Sequence, residues 1–334
     1  MKQPISARRL LLPLVPLYRL ALALREWRLR SGLEPVRRLS FPVVSVGNLS
    51  TGGSGKTPLT IALAQALTRR GLHVDVLSRG YGRQSQLPAR VDPAGTAADF
   101  GDEPLLIARE AAVPVYVAAQ RYQAGLLAES ALTPTSPAVH LLDDGFQHRQ
   151  LHRDVNILLI DSRDWHSGLL PAGNLREPLY AIRRATVLAI PAEDRELETA
   201  LKAWGWQGPI WRLRRQMDVP AIAGPVAAFC GIARPAQFFH GLESAGLTLA
   251  ANIAFPDHHR YTARDLDRLL AAARKAEAAA FITTEKDYVR LGALSAAFPE
   301  SLPLKTARLR IEIEDEPAAL ESLASRLKSG PGPI

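Results

Sequence analysis

A single cysteine, Cys230, stands in 334 residues. No internal disulfide can form, and the chain fits a reducing cytosol. Aromatic residues make up 6% of the chain, and no basic block is interleaved with them. That excludes single-strand stacking platforms, and no nucleic acid is expected as a partner. Internal repeats are absent. Acidic residues are outnumbered, 33 Asp and Glu against 41 Lys and Arg, and the net charge of +8 implies an anionic partner. Also missing is an uninterrupted apolar run of the roughly 20 residues that a membrane span needs. The nearest approach, residues 8–30 (RRLLLPLVPLYRLALALREWRLR), is broken by Pro13, Pro16 and Arg19. Its basic start and small Ala21 and Ala23 would suit a signal peptide, but a nucleotide-binding pattern downstream argues against export. Six arginines among leucines, with Trp27, describe instead a basic amphipathic helix over 1–30 lying in an anionic membrane interface.

What the chain does have is 47% apolar residues, enough for about two domains with real cores. The most informative stretch is 43–57, VVSVGNLSTGGSGKT. A β-branched run ends at Gly47, a Gly/Ser turn follows, and Lys56-Thr57 opens a helical pattern. This is the layout of a phosphate-binding loop, in which main-chain N–H groups and a helix N-terminus converge on phosphate oxygens. Gly52, Gly53, Ser54 and Gly55 would cradle ATP. Lys56 would reach its terminal phosphates, and the Thr57 hydroxyl would ligate Mg2+. Ser50 sits where the strict pattern has its first glycine.

Apolar runs alternate with helical patterns, which predicts an α/β fold with a doubly wound parallel sheet, P-loop NTPase-like, plus a second, smaller α/β domain. Strands are expected at 42–46, 73–77, 115–117, 139–142, 156–160 and 186–190, with an amphipathic helix over 58–70. The ligand belongs at the carboxyl ends of such strands. At 207–220 the text turns Trp-rich and then basic, and reads as a linker. The first α/β unit then covers 31–206 and the second 221–328. In the latter, strands are expected at 226–229, 253–255, 281–283 and 308–312. Helices are expected at 235–244, 262–279 (Thr262 and Asp265 forming a capping box) and 317–327. Residues 329–334 read as a disordered tail.

Five further motifs could carry chemistry. AVHLLDDGFQH (138–148) ends an apolar strand in Asp143 and Asp144, either able to serve the Mg2+ shell. DFGDEP (99–104) places Asp102 and Glu103 before a helix, as reactive groups or as caps. In GNLREP (173–178), Arg176 suits bidentate phosphate binding, and Glu177 could join the metal shell or pair with an arginine. FPDHHRY (255–261) follows a strand with Asp257, His258 and His259, a carboxylate-held imidazole fitted for proton transfer. TTEKD (283–287) could meet phosphate or cap a helix.

Taken in order, VGNLSTGGSGKTP, LSRGYGR, GDEP, LLDDGFQH, LREP, FPDHHRY and TTEKD closely resemble the tetraacyldisaccharide 4'-kinase family of lipid A synthesis. The resemblance spans nearly the whole chain. It implies transfer of the γ-phosphate of ATP to the 4'-hydroxyl of a tetraacylated glucosamine disaccharide 1-phosphate. It also implies a peripheral enzyme on the cytoplasmic face of the bacterial inner membrane, with that glycolipid and the anionic surface as partners. Carried over motif by motif, the catalytic acid is Asp102 and its partner is His258, with Lys56 on the transferred phosphate. Thr57, Asp143, Asp144 and Glu177 fall in the metal neighbourhood, and Asn48 and Arg176 against substrate. The rivals are a membrane-recruited switch ATPase, disfavoured by Thr51 where such loops carry lysine, and a soluble metabolite kinase, which would not need the Leu/Arg-rich N-terminus.

Overall fold

The computed structural model describes residues 7–132 and 137–328; the tail at 329–334 lies outside them. A 3-10 segment, Ala7–Leu14, leads into α1 (Val15–Arg30). The first half then runs β1 (Val43–Asn48), α2 (Lys56–Arg69), β2 (His73–Ser78), β3 (Ala89–Arg90), α3 (Ala97–Phe100) and α4 (Asp102–Ala111). It continues through β4 (Val115–Val117), α5 (Arg121–Ser130), β5 (Ala138–Asp143), β6 (Val155–Leu159), α6 (Ser162–Trp165), β7 (Val187–Pro191) and α7 (Arg195–Ala203). The second half comprises β8 (Ile210–Asp218), β9 (Val226–Cys230), α8 (Pro235–Ser244), β10 (Leu249–Ala254), α9 (Ala263–Lys275), β11 (Ala280–Thr284), α10 (Glu285–Leu291), β12 (Leu304–Ile313) and α11 (Glu316–Lys328).

All twelve strands join in the order β10-β9-β11-β12-β8-β7-β6-β1-β5-β2-β4-β3. Pairing is parallel except at β12–β8 and β3–β4. Strands β1 and β5 are buried along their whole length, as expected of a parallel sheet covered on both faces. β1 lies between β5 and β6, while the chain goes on from β1 through α2 to β2, beyond β5. The order reverses there, and the crevice opens at that switch point.

The segment read as a linker is corrected by the structure. It contains the nine-residue β8, parallel to β7 and antiparallel to β12. Trp211 and Leu213 are buried, while Arg212 and Arg214 point outward onto Glu198 and Glu314. Strand β12 pairs with β11 through 304–307 and with β8 through 308–313, so the β8–β12 ribbon ties the halves together. Strand β10 begins earlier than its apolar end suggests, because it is a half-exposed edge. Helix α9 stops at Lys275 rather than 279. Glu277 is left-handed, with φ 51°, and the Ala278 N–H returns to the Ala273 carbonyl at 3.0 Å, closing the helix. Its Thr262–Asp265 capping box forms as expected.

Candidate active site

A cleft of about 1170 Å³ opens over the carboxyl ends of β1 and β5 and is lined from both halves of the chain. Its floor is the loop at 51–57. Gly52 and Gly53 are left-handed, with φ 79° and 51°, and the second half leaves no room for a side chain at either. A Cβ on Gly52 would lie 2.6 Å from Ala233 Cβ, and one on Gly53 would lie 2.8 Å from Arg234 Cδ. Arg215, on β8, donates to the Ser54 carbonyl at 2.7 Å, and Arg234 pairs with Asp161 at 3.0 Å. Thr57 is buried in the first turn of α2.

Beside the loop, four residues form one cluster. Lys56 Nζ donates to Asn48 Oδ1 at 3.1 Å and lies 3.6 Å from Asp144. Arg176 grips Asp144 with two nitrogens, at 2.9 and 3.1 Å, and also reaches the Asn48 side chain. Burial opposes ionisation of Asp144, but Lys56 and Arg176 outweigh it and hold the carboxyl well below the usual range. Asp143, one residue earlier, has no such cation in contact. Burial, Glu103 and Asp144 push it up to about 7, and its hydrogen bond comes from Thr60 at 3.2 Å.

Arg176 lines the cleft, and Glu177, the next residue, is buried and already engaged beside it. Its carboxylate accepts from Arg184 and, at 3.5 Å, from Gln147. Of the four residues expected near a cation, Thr57, Asp143 and Asp144 line the cleft directly. Among the described residues no group of three His, Cys, Asp or Glu could hold a metal alone. This donor set still fits Mg2+, which binds through one or two carboxylates together with substrate phosphates. The crowding of Glu103, Asp143 and Asp144 is what a divalent cation would relieve.

A second cluster joins the halves. Asp102 begins α4 and is 6% exposed. His258 comes from the loop after β10, held at φ 58°, a conformation costly for a non-glycine residue and concentrated at functional sites. Its Nδ1 lies 3.2 Å from Asp102 Oδ2, and Tyr81 packs edge-on against the ring. Burial disfavours the Asp102 anion, but the His258 hydrogen bond and the Arg290 charge hold its carboxyl well below the ordinary value. The reciprocal bond from Asp102 raises His258. His259 is placed elsewhere, stacked on Phe255 and 3.1 Å from Asp265.

Arg290 and Arg121, both lining the cleft, escape motif reading. Arg290 contacts Asp102 with Nε at 2.7 Å. Lys286 pairs with Glu103, whereas the threonines of the same TTEKD run are structural. Thr283 donates to the Phe229 carbonyl and Thr284 caps α10. Arg121, pushed down to about 10 chiefly by burial, and His148, pushed down to about 3 by burial and neighbouring arginines, also line the cleft. His148 is therefore a neutral imidazole at physiological pH. Its place in LLDDGFQH was the signal available.

A phosphate loop at the switch point of a parallel sheet, facing a carboxylate–imidazole pair, defines a nucleotide-dependent phosphotransferase. The family model for tetraacyldisaccharide-1-P 4'-kinase matches residues 7–328. A tetraacyldisaccharide 4'-kinase of Koribacter versatilis is 41% identical over 322 residues, covering 93% of this chain and 97% of that one. One from Gluconacetobacter diazotrophicus is 43% identical over 295 residues, covering 85% and 84%. The crystal structure of an "apo" form of LpxK from Aquifex aeolicus in complex with ATP superposes with a TM-score of 0.74. It is 34% identical and covers 96% of this chain and 99% of its own. The chain belongs to the tetraacyldisaccharide 4'-kinase family.

Proposed function

We propose that the protein transfers the γ-phosphate of ATP to the 4'-hydroxyl of tetraacyldisaccharide 1-phosphate, giving the bis-phosphorylated lipid A precursor. The observation that carries this reading is the Asp102–His258 pair, 3.2 Å apart, whose imidazole lines the same cleft as Lys56. Phosphoryl transfer is mostly positioning and charge stabilisation, and a sugar hydroxyl needs a base as the bond to phosphorus forms. Lys56 and the loop amides orient the terminal phosphates. Mg2+, when bound near Thr57, Asp143 and Asp144, neutralises phosphate charge. Asp102 accepts the hydroxyl proton, oriented by His258, and Arg176 and Asn48 fix the neighbourhood of the reacting groups. Because the pair draws on both halves, 31–206 acting as kinase domain and 221–328 as lid, closure around substrate excludes water and suppresses idle hydrolysis.

The glycolipid and a membrane surface are the partners in this reading, and the site of action is the cytoplasmic face of the inner membrane. No helix among the described residues is long and apolar enough to cross a membrane. Helix α1 packs Tyr18 and Leu22 on the body and leaves Leu17, Leu20, Leu24 and Trp27 exposed. Such a face suits insertion to the depth of the headgroups, while nearby arginines add about 1 kcal/mol each on an anionic surface.

The experiment that tests the function supplies labelled ATP and Mg2+ with and without tetraacyldisaccharide 1-phosphate in detergent. Label should move to the glycolipid, and ATP should be consumed only in its presence. Steady ATP consumption without acceptor would favour a switch ATPase. Transfer to soluble sugars alone would favour a metabolite kinase.

A further inference from the structure

We propose that Arg290 is a positioning residue for phosphoryl transfer, clamping the Asp102 carboxylate beside His258 and so coupling the base in one half to the lid. The inference rests on the kinase reading above. Arg290 lies on α10 and its side chain is 7% exposed. Every nitrogen of its guanidinium is engaged. Nε and Nη2 both donate to Asp102 Oδ2, the first at 2.7 Å. Nη1 donates to the Gly231 carbonyl at 2.6 Å and to Asp287 Oδ1 at 3.1 Å. Asp287 is fully buried and also takes the Tyr261 hydroxyl at 3.0 Å, so the fork is held in one orientation.

Two details tie this residue to the chemistry rather than to packing. The Gly231 carbonyl also accepts the backbone N–H of His258 at 3.1 Å, so one arginine fixes both the base and the left-handed turn carrying its partner. Arg290 Nη2 lies 3.2 Å from His258 Nδ1 as well, placing the cation against both members of the pair. The groups facing Asp102 are Arg290 and Lys286 from α10, with Glu103 beside them on α4, and His258 and Asp257 from the loop after β10. Of these, Arg290 alone makes two contacts to the Asp102 carboxylate. An arginine beside a carboxylate favours its anion by 1–3 pH units in general. Removing it therefore makes Asp102 easier to protonate, and the acid limb of the rate profile must move to higher pH.

The test compares full-length wild type, R290Q and R290K with ATP and tetraacyldisaccharide 1-phosphate in detergent, recording kcat, KM for ATP and the pH profile of kcat. For R290Q, kcat should fall at least ~10-fold with KM for ATP within twofold, and the acid limb should rise by about one pH unit or more. R290K keeps the charge but not the fork. It should hold the limb near its wild-type position and recover part of kcat. If R290Q unfolds, R290K decides: a retained limb with reduced turnover supports the proposal, and full wild-type turnover in R290K, which lacks the fork, overturns it. An R290Q enzyme with the wild-type limb also overturns it, whatever its rate. Failure of the wild type itself to phosphorylate the glycolipid would instead overturn the functional reading.

Discussion

In the proposed reaction, Lys56 is the residue on which nucleotide chemistry turns. Its ammonium is held between Asn48 and Asp144, where it would meet terminal phosphates in that reading, and removing such a donor costs about 10²–10³-fold in turnover. Lys56→Ala should therefore lose at least ~100-fold in kcat with an unchanged circular dichroism spectrum. Near-normal turnover would dissolve the phosphate-loop assignment. The two adjacent histidines call for a split outcome. His258→Ala removes the imidazole beside Asp102 and should depress kcat. His259→Ala removes a ring stacked at 4.7 Å on Phe255 and should lower Tm instead. Turnover and melting curves on both variants check this, and the opposite pattern would reassign the roles. Sequence carried this far because DHH names the motif, but not which ring turns inward. That depends on the left-handed backbone at His258, which a residue string does not display. Arg290 was less legible still. Its partner Asp102 lies 188 positions away, and no local pattern encodes so distant an ion pair.

At the scale of elements, buried charge decides how the sheet is pinned. His140 sits inside the apolar run of β5, wholly buried. Its Nδ1 is 2.6 Å from Asp75 on β2, and its Nε2 is 3.4 Å from Glu129 on α5. Glu129 in turn accepts the Ser40 and Phe41 N–H groups at 2.6 and 3.1 Å, fastening the entry to β1. Burial works against the imidazolium, but the bonds to Asp75 and Glu129 prevail and raise His140 to about 9. A folded value above the ordinary 6.5 means that this contribution is complete below pH 6.5 and fades as pH climbs through 9. Denaturant unfolding should thus show wild-type stability declining between pH 6.5 and 9.5. His140→Ala should lose about 3–5 kcal/mol at pH 6.5, because Asp75 is left buried and unpaired. A variant as pH-dependent as the wild type would disprove the link. Parallel strands such as β5 were readable because both faces are covered and the text is continuously apolar. β8 was not, since its outward arginines look like linker until Glu198 and Glu314 are seen opposite them.

At the scale of the whole molecule, the active cleft and the exposed face of α1 share one support. Tyr18 donates to the Arg176 carbonyl at 2.8 Å, and Arg25 reaches the Gln147 carbonyl, so the inner side of α1 braces residues that line or adjoin the cleft. Deleting 1–30 would disturb the proposed membrane attachment and the site geometry together and could not separate them. Charges placed on the outer side alone can. Leu20 and Leu24 are 65% and 54% exposed and project away from the body. Burying a leucine in an apolar medium is worth about 1.5–3 kcal/mol, so the double variant Leu20→Asp, Leu24→Asp forfeits roughly 3–6 kcal/mol of insertion. Co-sedimentation with vesicles containing anionic lipid should fall by more than tenfold. Turnover on detergent-dispersed glycolipid should stay within a factor of about two, since neither residue touches the cleft. Undiminished vesicle binding would move the membrane-facing surface to another part of the molecule. Loss of detergent activity would mean that α1 contributes to the site through more than its inner contacts.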